Sequence, residues 1–377
     1  MNTSFSKNIP YLDGWRGLAI VLVLFSHFVT PDNQWEGRMG VLLFFVLSGS
    51  LMTKLLFIKK VDLKDFFVRR LSRIVPTFWL YTLSMVVYAA TFQPSVYHVQ
   101  FPEVASTLTF LRTYLPYDKS IWLEQWPIGH LWSLNVEEHF YLFLAVGALL
   151  CRQVRKESSV VFFLLASTAT ALALNLYYAT NPPGGASPWQ LRSECAALGL
   201  IAASALTITR EQSGTSWIKN VPPWLPVLTF LVAIACFINP TLNRVLVNHS
   251  HGIGTVCSSC LSWYSVFPQS GLDTVAPLCL AFSLVYLDQV PQILRMLLSS
   301  YVLRWFGTCS FSLYLWQHPF YLARGANPFL AAGLAIGVGA LSFYIFENPL
   351  RLSLNRAWNV RQERKRIESV ALMNSRP

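Results

Sequence analysis

Residues 11–28 read YLDGWRGLAIVLVLFSHF, an apolar helix-length run that nevertheless carries Asp13, Arg16 and His27. Charged and titratable groups at bilayer depth cost several kcal/mol unless they are paired or at work. Asp13 stands near the start of the segment, where the helix dipole favours a carboxylate. It is three residues from Arg16, on the same face, so the two can pair. From Arg16 to His27 is eleven residues, three helical turns and ~16 Å of rise. Both side chains therefore leave one face of the helix, with an anion-binding group at one end and a proton-transfer group farther along. That face resembles the wall of a channel for a long anionic donor. A structural reading stands beside it: an Asp–Arg pair, and a buried histidine satisfied by a neighbour.

The rest of the chain is of the same kind. Of its 377 residues 54% are apolar and only 12% charged, and the mean hydropathy is +0.43, whereas soluble domains carry roughly a quarter charged residues. The expected fold class is all-α, a polytopic membrane protein of about ten transmembrane helices with both termini cytoplasmic. Windows long enough to cross a ~30 Å hydrocarbon core lie at 14–31, 39–58, 74–92, 130–150, 159–179, 191–209, 222–238, 273–290, 301–322 and 327–349. The first lacks a small-residue cleavage signal and reads as a retained span. With a cytoplasmic N-terminus, 21 basic residues fall on the inner side and six on the outer, a split that sets the orientation. Residues 1–350 form one transmembrane domain and 351–377 a basic cytoplasmic tail, helical at first. The net charge of +11 is then topology signal and attraction to anionic membrane lipids. Nothing resembles a nucleic-acid site. The seven cysteines make no disulfide framework.

Other polar groups fall into clusters. Ser48, Gly49 and Ser50 in the second span suit close helix packing. The following inner loop carries Lys59, Lys60, Lys64, Arg69, Arg70 and Arg73. Arg70 and Arg73 are one turn apart and can converge on a phosphate, although positive-inside charge alone also accounts for such a loop. Residues 93–129 are too apolar for a linker and are expected to fold onto the outer mouth. The fourth span opens GHLWSLNVEEHFYLFL (129–144), bringing His130, Trp132, Ser133, Glu137, Glu138 and His139 into one segment. Glu137 lies seven residues, ~10 Å, inside that end, a depth comparable to His27, and a carboxylate there can fix the imidazole tautomer. Glu138 is given no role, and His139 an interfacial one. Arg192 and Glu194 can pair or line the acceptor side. In the outer segment 239–272, His249, His251, Cys257 and Cys260 have spacings compatible with zinc, with a disulfide or with free thiols; no metal is assigned.

Taken in order, LDGWRGLA…H, FFVLSG, RRLSRIVP, HLWSLNVEEHFY, FGTCSFSLYLWQHP and FENP resemble the acyltransferase 3 family of integral membrane O-acyltransferases, over residues 11–350. The resemblance implies a helical tunnel for acyl-coenzyme A and transfer of an acyl group, commonly acetyl, from the cytoplasm to a hydroxyl of a cell-envelope carbohydrate. It makes acetyl-CoA a cosubstrate, with an acyl-CoA donor, a carbohydrate acceptor and membrane lipids as partners, in the bacterial inner membrane. The family's Arg-x10-His falls on Arg16 and His27, its Arg-x-x-Arg on Arg70 and Arg73, and its late acidic-x-Pro on Glu347 and Pro349. The histidine of YLWQHP is displaced by one from the WH often seen, so no catalytic role passes to His318. No extracytoplasmic esterase-like domain is expected after the last span, and the membrane domain is expected to complete the transfer itself.

The resulting expectation has coenzyme phosphates at Arg70 and Arg73 with Arg69 beside them, and the thioester arm passing Arg16. His27 is the general base, oriented by Glu137, with or without an acyl-His intermediate. Asp13, Trp132, Ser133 and Glu347 are auxiliary. The rival reading is a transporter or flippase of an envelope glycan precursor, in which Arg16 and His27 serve gating; an acyltransferase acting on a lipid or small molecule is a further alternative.

Overall fold

The computed structural model describes residues 9–31, 35–92, 100–118, 121, 127–154, 157–249, 271–325 and 327–374, and all its regular elements are helical. Helix α1 (Pro10–Phe28) begins on a proline, which has no N–H to leave unsatisfied. Helix α2 (Trp35–Thr53) returns and ends in a π-helical turn, Lys54–Ile58. Helices α3 (Leu63–Phe92) and α4 (Phe101–Leu108) follow, then α5 (Trp132–Val154) and α6 (Glu157–Thr180). The middle of the chain forms α7 (Ser193–Ala196), α8 (Leu198–Gln212), α9 (Ser216–Lys219) and α10 (Trp224–His249). A second π-helical turn, Gly271–Val275, leads into α11 (Ala276–Val285), and α12 (Gln292–Leu298) precedes α13 (Tyr301–Leu322). Helix α14 (Pro328–Ser342) passes through a third π-helical turn, Phe343–Glu347, into α15 (Asn348–Asn374).

Glycine decides how closely the central helices approach. Helix α1 packs against α2 and α13, α2 against α8, and α13 against α14. A Cβ on Gly17 would collide with the backbone oxygen of Leu303, and one on Gly307 with that of Asp13. Small residues let helix backbones touch where no hydrophobic force drives association in lipid. Gly49 does the same for α2 against the Leu200 carbonyl of α8, and Ser50 accepts a hydrogen bond from Thr207 at 2.9 Å, so both pack as their small size suggests.

Among the described residues five helical stretches are long and apolar enough to cross a membrane: Trp35–Ile58, Leu63–Phe92, Gly129–Val154, Ser158–Thr180 and Pro328–Ser369; Trp224–Ile238 and Asp273–Val285 are shorter apolar helices. The protein is an all-α polytopic membrane protein, but these are fewer than the ten spans expected. The reason is visible in the remaining helices. Helix α1 carries Asp13 and Arg16, and α13 buries Ser310, Ser312, Gln317 and His318, so each directs polar groups into the protein. The 191–209 window breaks between α7 and α8, and the 273–290 window is a π-helical turn, a ten-residue helix and a 3-10 turn. Helix α6, by contrast, leaves Phe162, Leu165, Leu176 and Tyr177 at least half exposed, as a lipid-facing surface requires.

Helix α15 runs without interruption across residue 350. Its first half is bound to α3: Arg69 donates to Asn359 at 2.9 Å, Ser72 to Asn355 at 3.2 Å and Trp358 to Asp65 at 2.7 Å. The start of α1 and the ends of α2 and α8 line one cavity, and α5 ends against the turn that joins α2 to α3, so these share one end of the bundle. Arg152 reaches the Leu56 and Val61 carbonyls there, and Arg210 forms two 2.8 Å bonds to Asp288. This is called the basic end. At the far end, Arg38 donates to Asp273 at 2.6 Å and Tyr114 to Glu194 at 2.6 Å.

Candidate active site

Two cavities enter the bundle and meet at Val41, Phe45 and Tyr314, which line both. The one toward the basic end is narrow, about 100 Å³, and is lined by Arg16, Arg70, Arg73, Glu137 and Ser48 on a wall of Phe44, Met52, Leu134 and Phe311. The one toward the far end is about 680 Å³ and is lined by His27, His130, His318, Trp132, Arg38 and Asp273, among others. Arg16 and His27, on one face of α1, thus open into different cavities, as their eleven-residue spacing requires.

In the narrow cavity Arg16 pairs with Asp13 at 3.0 Å, as the i,i+3 spacing predicts. Arg70 differs from expectation. Its Nη2 lies 3.0 Å from Glu137 and its Nε 3.8 Å from Glu138, and its guanidinium sits 3.5 Å over the Tyr141 ring. With two carboxylates already on it, Arg70 is no free phosphate ligand; it is the counter-ion of α5. Arg69, one residue before it, points 100° away around the helix and binds Asn359 of α15 rather than the cavity. Arg73 has no hydrogen bond or salt bridge among the described residues and lines the cavity, which leaves it as the cation available to an anion. Glu347, at the end of the third π-helical turn, is buried and accepts from Ser312 at 2.6 Å.

His27 does not meet Glu137. The carboxylate accepts from Ser48 at 2.9 Å and from Arg70 at 3.0 Å, in the other cavity. His27 stands in the last turn of α1, level with His130 where α5 begins, and Glu137 lies seven residues, ~10 Å, deeper along α5. The partner of His27 is Gln317 of α13, whose Oε1 is 2.5 Å from Nδ1. Gln317 Nε2 turns to the Tyr314 carbonyl at 3.4 Å, so the atom facing His27 is the amide oxygen, which only accepts. His27 therefore donates from Nδ1 and keeps its lone pair on Nε2. Tyr321 packs over the ring at 4.4 Å.

Around them, Tyr314 donates to the His130 carbonyl at 2.6 Å and shares a 2.7 Å hydrogen bond with Ser133, while Trp132 meets Phe45 edge-on. His318, given no role from the sequence, faces the same cavity: its ring centroid is 6.2 Å from His27 and stacks on His130 at 4.5 Å. The signal for Gln317 and His318 was present, since the rule that singled out Arg16 and His27 holds for any polar side chain in an apolar helix. Glu138 faces Arg70, and His139, one position on, bonds Ser193 at 2.7 Å rather than forming an interfacial pair. Arg192 and Glu194 pair at 2.7 Å. His251, Cys257, Cys260 and the side chain of His249 lie outside the described residues.

Comparison with known proteins identifies the family. The model of a family described as an acyltransferase domain matches residues 9–354. The chain is 26% identical over 95% of its length to a putative peptidoglycan O-acetyltransferase, YrhL, of Bacillus subtilis (strain 168), covering 57% of that protein. It is 23% identical over 92% of its length to the peptidoglycan O-acetyltransferase OatA of Listeria monocytogenes serovar 1/2a, covering 56%. A putative O-acetyltransferase of Staphylococcus aureus (strain COL) is 27% identical over 94% of the chain and 59% of the relative. The chain thus spans less than two thirds of the length of these curated relatives. No solved structure matches. Its apolar helices and bacterial relatives make it an integral, multi-pass bacterial membrane protein, and with nearly its whole length matched the chain belongs to the acyltransferase 3 family of membrane acyltransferases.

Proposed function

We propose that the protein is a transmembrane O-acyltransferase that takes an acyl group, acetyl by analogy with its relatives' names, from cytoplasmic acyl-CoA and places it on a hydroxyl of an extracytoplasmic envelope carbohydrate. The observation that carries this reading is the pair of cavities, one lined by Arg73 and one by His27, which share Val41, Phe45 and Tyr314 as lining. The excess of basic residues on one side supports a cytoplasmic location for the narrow cavity and both termini. The relatives named for peptidoglycan O-acetylation support an envelope glycan as acceptor.

The donor set fits an acyl-CoA. A cavity this narrow admits a flexible pantetheine arm and not a nucleotide, so the nucleotide phosphates stay outside it, and Arg73 on its wall is the residue proposed to bind one bidentately. Arg16 extends the positive field along the arm. On the other side, Nε2 of His27 accepts the proton of the acceptor hydroxyl as its oxygen bonds to the thioester carbonyl carbon. The C–S bond then breaks, and His27 returns the proton to the coenzyme thiolate. Gln317 keeps the imidazole in the tautomer this requires.

His27→Ala should abolish base-labile acyl esters on the envelope and coenzyme A release in membranes, with the protein still inserted and monodisperse. Wild-type membranes that move a glycan precursor without cleaving acetyl-CoA would instead support the transporter reading.

A further inference from the structure

His318 is buried, 6% exposed, yet lines the far cavity, and its Nδ1 has no hydrogen-bond partner among the described residues. A buried polar atom without a partner costs free energy comparable to a lost hydrogen bond, and the ring it belongs to lines the cavity that His27 also lines. Its ring stands at 80° to that of His27 with centroids 6.2 Å apart. Two N···O contacts of ~2.8 Å, one from each ring, can meet on a single reacting centre within that separation. The ring is held from behind by His130, stacked at 4.5 Å and 16°. The nearby hydroxyl of Tyr314 is already committed to the His130 carbonyl and Ser133.

We infer that His318 is a second catalytic residue of the proposed transfer: its ring N–H hydrogen-bonds the thioester carbonyl oxygen as this becomes an oxyanion, while His27 takes the proton of the attacking hydroxyl. The acceptor oxygen forms the new C–O bond, the C–S bond breaks, and the proton held by His27 ends on the coenzyme thiolate. His318 supplies a hydrogen bond and gives up no proton. A donor aimed at developing negative charge in a site away from bulk water is worth roughly 100- to 1000-fold in rate. The inference rests on the acyl-transfer reading above.

The test uses membrane vesicles from a deletion strain carrying the full-length chain, supplied with acetyl-CoA labelled in the acetyl group, and follows base-labile label in the envelope fraction. His318→Phe keeps a ring against His130 without an N–H, His318→Met removes both, and His318→Gln restores a donor. Wild type should incorporate label and His27→Ala should not. His318→Phe and His318→Met should fall about 100-fold at saturating acetyl-CoA, with the KM for acetyl-CoA within about threefold. His318→Gln should recover at least tenfold of that loss; a purely structural role gives no such rescue. Retention of more than a tenth of the wild-type rate in whichever donor-free variant folds, or His318→Gln no faster than that variant, overturns the role of His318 alone. No label incorporated by wild type overturns the acyl-transfer reading and this inference with it.

Discussion

The Nδ1 of His27 and the Oε1 of Gln317, 290 residues apart in the chain, lie 2.5 Å from each other. The contact exists because α1 and α13 cross through Gly17 and Gly307, whose missing side chains let the two backbones touch. Gln317 is fully buried, so its amide is fixed by the protein and not by solvent. Gln317→Leu should therefore slow acyl transfer about 100-fold, the lower end of the roughly 100- to 10,000-fold range of general acid–base assistance, with an unchanged KM for acetyl-CoA. Wild-type turnover in that variant would show that His27 needs no partner.

The crossing itself can be tested through stability. A methyl group added at Gly307 must displace the backbone of α1, and overpacking of this kind costs about 1–3 kcal/mol. Gly307→Ala should lower the melting temperature in detergent and reduce the yield of folded protein. Gly333, whose Cβ would meet nothing within 4 Å, is the control, and Gly333→Ala should leave the melting temperature unchanged.

Arg70 and Glu137, each with its side chain 13% exposed, form an ion pair whose halves depend on each other. Removing one partner of a buried pair typically costs about 3–5 kcal/mol, because a charge is left uncompensated. Glu137→Ala should fall toward the lower end, since Glu138 remains 3.8 Å from Arg70. The double variant Arg70→Met, Glu137→Leu should be more stable than Glu137→Ala. Additive losses in this cycle would mean that the two charges are not coupled.

The Arg70–Glu137 pair also marks where reading from sequence stops. The Asp13–Arg16 pair and the shared face of Arg16 and His27 follow from helical periodicity alone, and the structure contains both. Depth counted from the ends of separate windows pairs Glu137 with His27, and such a count carries an uncertainty of a turn or more. One turn is 5.4 Å, enough to carry a carboxylate from one cavity to the other. Arg70 read as a phosphate ligand because its spacing to Arg73 was visible, whereas the carboxylates that occupy it lie on a different helix. Helices α1 and α13 lack the apolarity of a membrane span for the same reason that they carry the site: their polar side chains are turned inward. The fold class was therefore legible from composition, and the pairing of partners across helices was not.

Arg73 is where donor binding should be most sensitive. Unlike Arg70, it holds no carboxylate within salt-bridge distance among the described residues, and unlike Arg69 it lines the narrow cavity. A charge-assisted bidentate contact to a phosphate is worth about 1.5–3 kcal/mol, which is roughly 10- to 150-fold in affinity. Arg73→Ala should raise the KM for acetyl-CoA by that factor with little change in kcat, because the phosphate contact is the same in ground and transition states. Arg73→Lys should recover only part of the loss, since an ammonium keeps the charge but not the fork. Arg69→Ala should leave the KM unchanged and instead loosen the first half of α15 from α3, seen as faster amide exchange around Asn359. A KM shift in Arg69→Ala equal to that in Arg73→Ala would move the phosphate site out of the cavity and onto the outer face of α3.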